Sequence, residues 1–415
     1  MKLQFGQVGA AVAIGALLLG VVACGGSDSA TPTAEKNADT GCIENFSEEI
    51  DYFPNKAVAE YANGWSVDYE KSYKVLHTTV DAAGGHANAG SREIDSTYVL
   101  VQCGAPEPEL TGELEGATVI TIPVASLVDG GSVLYASLER LDRAEALVGQ
   151  AEQFIGETET PYYPKISAQV ASGKVADLGY DVNYEALADA DPDFYTNYAG
   201  DTAMFSKIEE LGIPVVYYFP YTESPLGASE QVKFTSLFFN LEAEANKIFD
   251  PIAQRYLELK DRVAQRVSET GDKPTVIVGV IGKADDVTTN QNERFEEQLI
   301  TEAGGTALPD LPGGGKQTIS LESFLDTGAD ADFWLDMVFF PKYATKAEYI
   351  AADPRLDVLK ALHSGGVFHR IGARGQDYFL GGAVDADVML ADAVSILHPE
   401  LEPDHELAYL GEVSD

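Results

Sequence analysis

Ala245, Ile248, Ile252, Tyr256, Leu259, Val263 and Val267 recur at steps of three and four residues, so a helix running from Leu241 to Val267 has one continuous apolar face. At 1.5 Å per residue that helix spans about 40 Å. From Glu230 to Val267 the composition is almost wholly helical, whereas the chain on either side alternates strand and helix patterns. Pro251 follows Asp250 within the stripe, so the helix is expected to kink or restart there with Asp250 as its cap. The organisation this implies is α/β, two lobes with mainly parallel sheets joined by one long helix.

The flanking patterns are specific. Tyr69 to Thr79 and Ser96 to Gln102 read as a hairpin around a Gly-rich loop at Gly84-Gly85-His86-Ala87-Asn88. Strands follow at Thr118–Ile122, Asp193–Tyr198 and Pro214–Phe219, with helices at Leu134–Leu141 and Ala203–Leu211. Beyond Gly271-Asp272-Lys273-Pro274 the rhythm resumes with strands at Thr275–Ile281, Asp332–Phe340 and Val367–Ile371, and helices at Glu293–Ala303 and Ala386–Leu397. One unit occurs twice. Val182-Asn183-Tyr184-Glu185 and Ile319-Ser320-Leu321-Glu322 each open a short helix with a Glu in its first turn, and each leads through an acidic turn to an aromatic-led strand. Two similar lobes would then each present one carboxylate at a comparable place.

The N-terminus does not belong to this core. Lys2 precedes an apolar run from Val8 to Val22 that is short for a membrane span, which marks 1–23 as a signal peptide. Val21-Val22-Ala23-Cys24 resembles a bacterial lipobox, which implies lipidation at Cys24 and a protein exported and held by a lipid anchor alone, at the outer face of the cytoplasmic membrane or in the periplasm. Residues 24–45 read as the lipidated Cys and a flexible tether, 46–228 as the N-terminal lobe, 229–270 as the connecting helical segment and 271–415 as the C-terminal lobe. In an oxidising compartment Cys42 and Cys103 are expected to pair, with two buried thiols as the alternative. Such a bridge closes a loop of roughly 60 residues and contributes about 4 kcal/mol in the chain-entropy view. The formal net charge of -40 repels phosphate backbones and disfavours nucleic acid as a partner.

Several segments, in order, carry a family resemblance. They are Tyr73-Lys74-Val75, Tyr98 to Gln102, Leu138 to Gly149, Gly179 to Asp193, Glu223-Ser224-Pro225-Leu226-Gly227, Val388 to Asp392 and His398-Pro399-Glu400-Leu401. Together the chain resembles the substrate-binding lipoproteins of ABC importers for ferric siderophores, haem and cobalamin. The resemblance implies two lobes bridged by a rigid helix, a ligand in the cleft, a monomer, and one Glu per lobe docking onto arginines of a permease powered by its ATPase. Glu185 and Glu322 stand at those positions. Ala228, Ser229 and Gln231 stand where an Arg and a Trp are common in that family.

No enzyme motif is present. Gly313-Gly314-Gly315-Lys316 lacks the first Gly and the Ser or Thr of a phosphate loop, and His405-Glu406 has no second His at zinc spacing. No cofactor and no resident metal are expected, the ligand being a ferric chelate. Ligand contacts are sought at strand ends, where open α/β sheets bind. They are Ser126, Ser132, Asn197, Tyr198 and Tyr221 in the first lobe, and Lys283, His369, Arg370, Arg374 and Tyr378 in the second. Aromatics and arginines suit a planar, partly anionic chelate. The bland alternative is that the arginines relieve acidic repulsion and the tyrosines pack in the core. The reading is therefore a receptor for an iron(III) siderophore, with cobalamin or haem next. A direct zinc or manganese receptor and a surface adhesin are the alternatives from other classes.

Overall fold

The computed structural model describes residues 34, 37–81, 93–150, 162–179, 182–197, 202–220, 223–283, 285–290, 295–311, 316–338 and 340–415. Cys24, Tyr198, Tyr221 and the Gly313–Gly315 turn lie outside them. A four-stranded sheet comes first: β1 (Trp65–Tyr69), β2 (Tyr73–Asp81), β3 (Glu93–Gln102) and β4 (Thr118–Ile122). The first three are antiparallel, and β4 returns parallel to β3. Thr118–Ile122 is thus a strand, as its pattern indicates, but it completes the N-terminal sheet rather than opening the first α/β lobe.

That lobe begins at β5 (Leu127–Asp129) and continues with α1 (Tyr135–Arg140), β6 (Leu147–Gln150), α2 (Pro164–Ala171), β7 (Ala176–Asp177), α3 (Tyr184–Ala190), β8 (Phe194–Asn197), α4 (Thr202–Glu210) and β9 (Val215–Tyr217). Its parallel strands lie in the order β7-β6-β5-β8-β9. Strand order reverses between β5 and β8, which is the place where open sheets of this kind form a crevice.

Two short helices, α5 (Pro225–Ser229) and α6 (Gln231–Ser236), lead into α7 (Glu242–Thr270). The stripe is observed: Ala245, Ile252, Tyr256, Leu259 and Val263 are buried. Pro251 neither ends nor restarts the helix. It lies on the exposed face, so the Lys247 carbonyl that loses its N–H donor can turn to water.

The second lobe contains β10 (Thr275–Val278), β11 (Val280–Ile281), β12 (Asp286–Asn290), α8 (Phe295–Glu302), β13 (Thr306–Leu308), β14 (Lys316–Ser320), α9 (Leu321–Gly328), β15 (Phe333–Asp336), α10 (Lys346–Ala352), β16 (Gly366–His369), α11 (Gly381–Val384), α12 (Ala386–Leu397) and β17 (Gly411–Glu412). The main sheet runs β13-β10-β15-β16-β17, with only β17 antiparallel, and β11, β12 and β14 form a small antiparallel sheet. Here the order reverses between β10 and β15.

One hydrophobic cluster runs through the whole body. It includes Leu127 and Phe194 of the first lobe, Ile252, Tyr256 and Leu259 of α7, and Val276, Leu335 and Met389 of the second lobe. The N-terminal sheet is tied in by a buried charge. Lys74 on β2 pairs with Glu242 at the start of α7 and donates to the Leu237 carbonyl at 2.7 Å and to Asn240 Oδ1 at 2.9 Å. Burial lowers the Lys74 pKa and the Glu242 carboxylate opposes that shift, so removing either partner would strand the other in the core. Cys42 and Cys103 are bridged. Asn37 is buried and donates to Glu242 at 2.7 Å, so the packed chain begins inside the stretch read as tether. Among the described residues no helix is long and apolar enough to cross a membrane.

Candidate functional site

The loop after β5 is built around one buried carboxylate. Asp129 accepts the Gly131 N–H at 3.2 Å and the Leu134 N–H at 2.7 Å, which turns the chain directly into α1. Burial pushes its pKa up to about 7, against the pull of the backbone donors from 131 to 134. This turn fixes Ser132, which is fully buried and has φ +58°. Across the reversal point, Asn197 ends β8 at 9 % exposure and donates to Tyr195 Oη at 3.1 Å. Gly130 lies between them, and a Cβ there would meet the Tyr195 hydroxyl and the Asn197 amide. Ser132 and Asn197 therefore stand in neighbouring segments at the carboxyl end of the sheet, joined through the Gly130 N–H, which donates to the Thr196 carbonyl at 2.8 Å.

Ser126 does not join them. It precedes β5, and its N–H and Oγ bind Asp193 Oδ2 at 2.9 and 3.3 Å, at the amino ends of β5 and β8. The misplacement follows from the strand assignment. With Thr118–Ile122 taken as the lobe's first strand, everything after Ile122 reads as carboxyl-end loop. The three-residue strand Leu127–Asp129 separates Ser126 from that loop.

In the second lobe, Arg370 follows β16 and is buried. It bonds Glu296 Oε1 at 3.0 Å, donates to the Met337 carbonyl beside the β10/β15 reversal point, and lies 4.8 Å over the Phe379 ring. Tyr378 is 1 % exposed and packs edge-on against Phe295, so it is a core residue. His369 is the last residue of β16, beside Asp336 in register, and burial lowers its pKa. Lys283 lies in the exposed β11–β12 turn. That turn touches α9, where the Leu321 N–H donates to the Asp285 carbonyl at 2.7 Å.

Arg374 is committed elsewhere. Its Nε lies 3.1 Å from Asp377 and its Nη1 3.2 Å from Asp385. It also bonds Tyr409, and its guanidinium covers the Tyr162 ring at 4.3 Å. Arg140 on α1 meets the same Asp385 at 2.7 Å. Tyr163 donates to Asp377, and Tyr162 donates to the Ala373 carbonyl at 3.3 Å. This cluster, which sequence reasoning missed apart from Arg374, joins the lobes. Tyr162 and Tyr163 lie between β6 and α2, and Ala373 to Asp377 follow β16. Both are carboxyl-end segments, so the two sheets turn those ends toward each other.

Glu185 and Glu322 are both exposed and each is the second residue of its helix. Each stands two residues past a working cap: Asn183 Oδ1 accepts the Ala186 N–H and Ser320 Oγ accepts the Ser323 N–H, both at 3.1 Å. A groove of about 640 Å³ lined by Pro274, Asp332, Gly366 and Pro399 lies at the amino ends of the second-lobe strands, away from these features. Among the described residues no group of three His, Cys, Asp or Glu side chains could hold a metal ion.

Residues 135–370 match the family described as periplasmic binding protein. Two uncharacterized lipoproteins of Methanocaldococcus jannaschii are similar to the chain. One is 27% identical over 320 residues, 74% of each chain, and the other 24% identical over 318 residues, 74% of this chain and 77% of the relative. Among solved structures, a periplasmic heme binding protein from Pseudomonas aeruginosa superposes with a TM-score of 0.54 at 17% identity, over 70% of this chain and 99% of that one. Helicobacter pylori CeuE with Ni(II) bound gives 0.51 at 14% identity, over 68% of this chain and 86% of that one. At such identities these likenesses concern the fold.

Proposed function

The chain belongs to the periplasmic binding protein family, and from that premise we propose that it is the solute receptor of an ABC importer for a metal chelate, with an iron(III) siderophore as the leading ligand. The observation that carries this reading is the convergence of two carboxyl-end crevices. The lobes meet through Tyr163–Asp377 and Tyr162–Ala373, which join segments on the carboxyl-end side of the two sheets and support a cleft between the β5/β8 and β10/β15 reversal points. Ser132, Asn197 and Arg370 belong to that cleft. The protein holds a ligand and catalyses nothing. Cys24 anchors it outside the cytoplasmic membrane, 46–228 and 271–415 form the lobes around 229–270, and Glu185 and Glu322 hand the loaded receptor to the permease.

Thermal melts against metal chelates and bare metal ions test this. A true ligand at about 100 times its dissociation constant adds about 2.7 kcal/mol of stability. A chelate that raises the melting temperature in this way supports the reading. A protein that responds to no chelate at millimolar concentration is not a chelate receptor.

A further inference from the structure

The cleft's cations are already matched by carboxylates. Arg370 bonds Glu296, Arg374 bonds Asp377 and Asp385, and Arg140 bonds Asp385. Three guanidiniums thus face three carboxylates. Arg370 also donates to the Met337 carbonyl, and Arg374 also bonds Tyr409 and covers the Tyr162 ring. Lys283 is exposed before β12. Lys342 follows β15 near Asp336, a carboxylate only 3 % exposed. Asp336 Oδ2 accepts Tyr349 Oη at 2.7 Å, while its Oδ1 has no hydrogen-bond partner.

We propose that the ligand carries no net negative charge and is a neutral or cationic metal chelate, held by the cleft around Ser132, Asn197 and Asp336. This rests on the chelate-receptor reading and adds the charge class to it. Three physical arguments converge. An anion leaving water needs a partner charge, and the charges of these arginines are already balanced by Glu296, Asp377 and Asp385. The unpartnered Asp336 oxygen can accept a donor or a cation but offers nothing to an anion. The field of a chain with net charge -40 also slows the approach of polyanions and favours cations. Phe340, 71 % exposed after β15, supplies an apolar aromatic surface that needs no charge on its partner.

The test uses purified full-length protein in detergent and four probes in equilibrium titrations. They are a ferric trihydroxamate bearing one free ammonium, a neutral ferric trihydroxamate, a ferric triscatecholate with three negative charges, and haem with its two propionates. The expected result is that a trihydroxamate binds at least about tenfold more tightly than the triscatecholate or haem, and that the cationic probe weakens as salt rises. Lys342→Glu, an exposed change, should keep or increase affinity for the cationic probe. Tightest binding of the triscatecholate or haem overturns the charge inference and leaves the chelate receptor standing. Loss of cationic-probe affinity in the Lys342→Glu variant also overturns it. If no chelate binds but bare Ni(II) does, the chelate reading falls while the preference for positive charge is upheld. Silence with all probes and with Ni(II) removes both.

Discussion

The Tyr163 hydroxyl, on the first lobe, donates to the Asp377 carboxylate of the second, so two residues 214 positions apart close one edge of the cleft with a single buried bond. Asp377 is 6 % exposed. Burial raises its pKa, and the Tyr163 bond and Arg374 oppose that shift. Tyr163→Phe keeps the ring and removes the donor. Unfolding in urea should show a loss of about 1–3 kcal/mol, the usual cost of leaving a buried charged acceptor short of a donor. An unchanged midpoint would show that the bond contributes nothing to holding the lobes together.

Arg374 supports the same edge from the other side. Arg374→Ala leaves Asp377 and Asp385 without their shared cation, while Arg140 and the Tyr409 hydroxyl continue to serve Asp385. The Arg374 side chain is partly exposed, so the cost should fall below that of breaking a fully buried pair, at about 1–3 kcal/mol. The apo protein should therefore melt earlier. A variant that melts like the parent but binds ligand less well would return Arg374 to the ligand site.

His405 offers a pH test. Its Nε2 lies 2.6 Å from Asp392 Oδ1, and Asp392 is fully buried and also accepts the N–H groups of Ala408, Tyr409 and Leu410. The hydrogen bond to Asp392 is the main cause that raises the His405 pKa. A raised folded-state pKa contributes stability that is complete below the unfolded value, about 6.5, and is lost as pH rises through the folded value. The stability gap between the parent and His405→Gln should therefore be wider at pH 5.5 than at pH 8.5. A gap that is constant or grows with pH would contradict the pairing.

Glu185 and Glu322 hold equivalent positions on equivalent caps, one per lobe. Glu185→Arg or Glu322→Arg should retain ligand affinity and lose uptake and permease association, because two linked contacts depend on each other through effective concentration. The caps Asn183 and Ser320 remain, so the stability change should stay below about 1 kcal/mol. Normal uptake by either variant would reduce both residues to charges that favour a helix start.

Long, periodic elements were legible in the chain and short ones were not. Ala386–Leu397 is the helix its pattern describes, and the stripe on α7 is buried as its spacing requires. Leu127–Asp129 has too few residues to show any period, and β4 joins β3 through a parallel pairing that no local pattern reveals. The site shows the same limit. Asn197 ends a strand that its own pattern shows, whereas Ser132 follows Leu127–Asp129, a strand that shows no pattern, and not Thr118–Ile122. Arg370 and Arg374 are visible as cations near a strand end, but Glu296, Asp385 and Tyr163, which occupy them, arrive from other elements. Charge pairing is a tertiary property, and a basic residue in the text does not show which acid will reach it.

The continuous core also sets an order of events. For a chain threaded outward from its N-terminus, Lys74 emerges long before Glu242, and the α7 stripe emerges before Met389, Leu390 and Val394 of α12 are there to cover it. The part of α7 that α12 covers cannot be sealed until that last helix is out. That apolar face of α7 must wait exposed while the second lobe follows, and a premature stop just beyond Thr270 would release a product with its longest helix bare on one side.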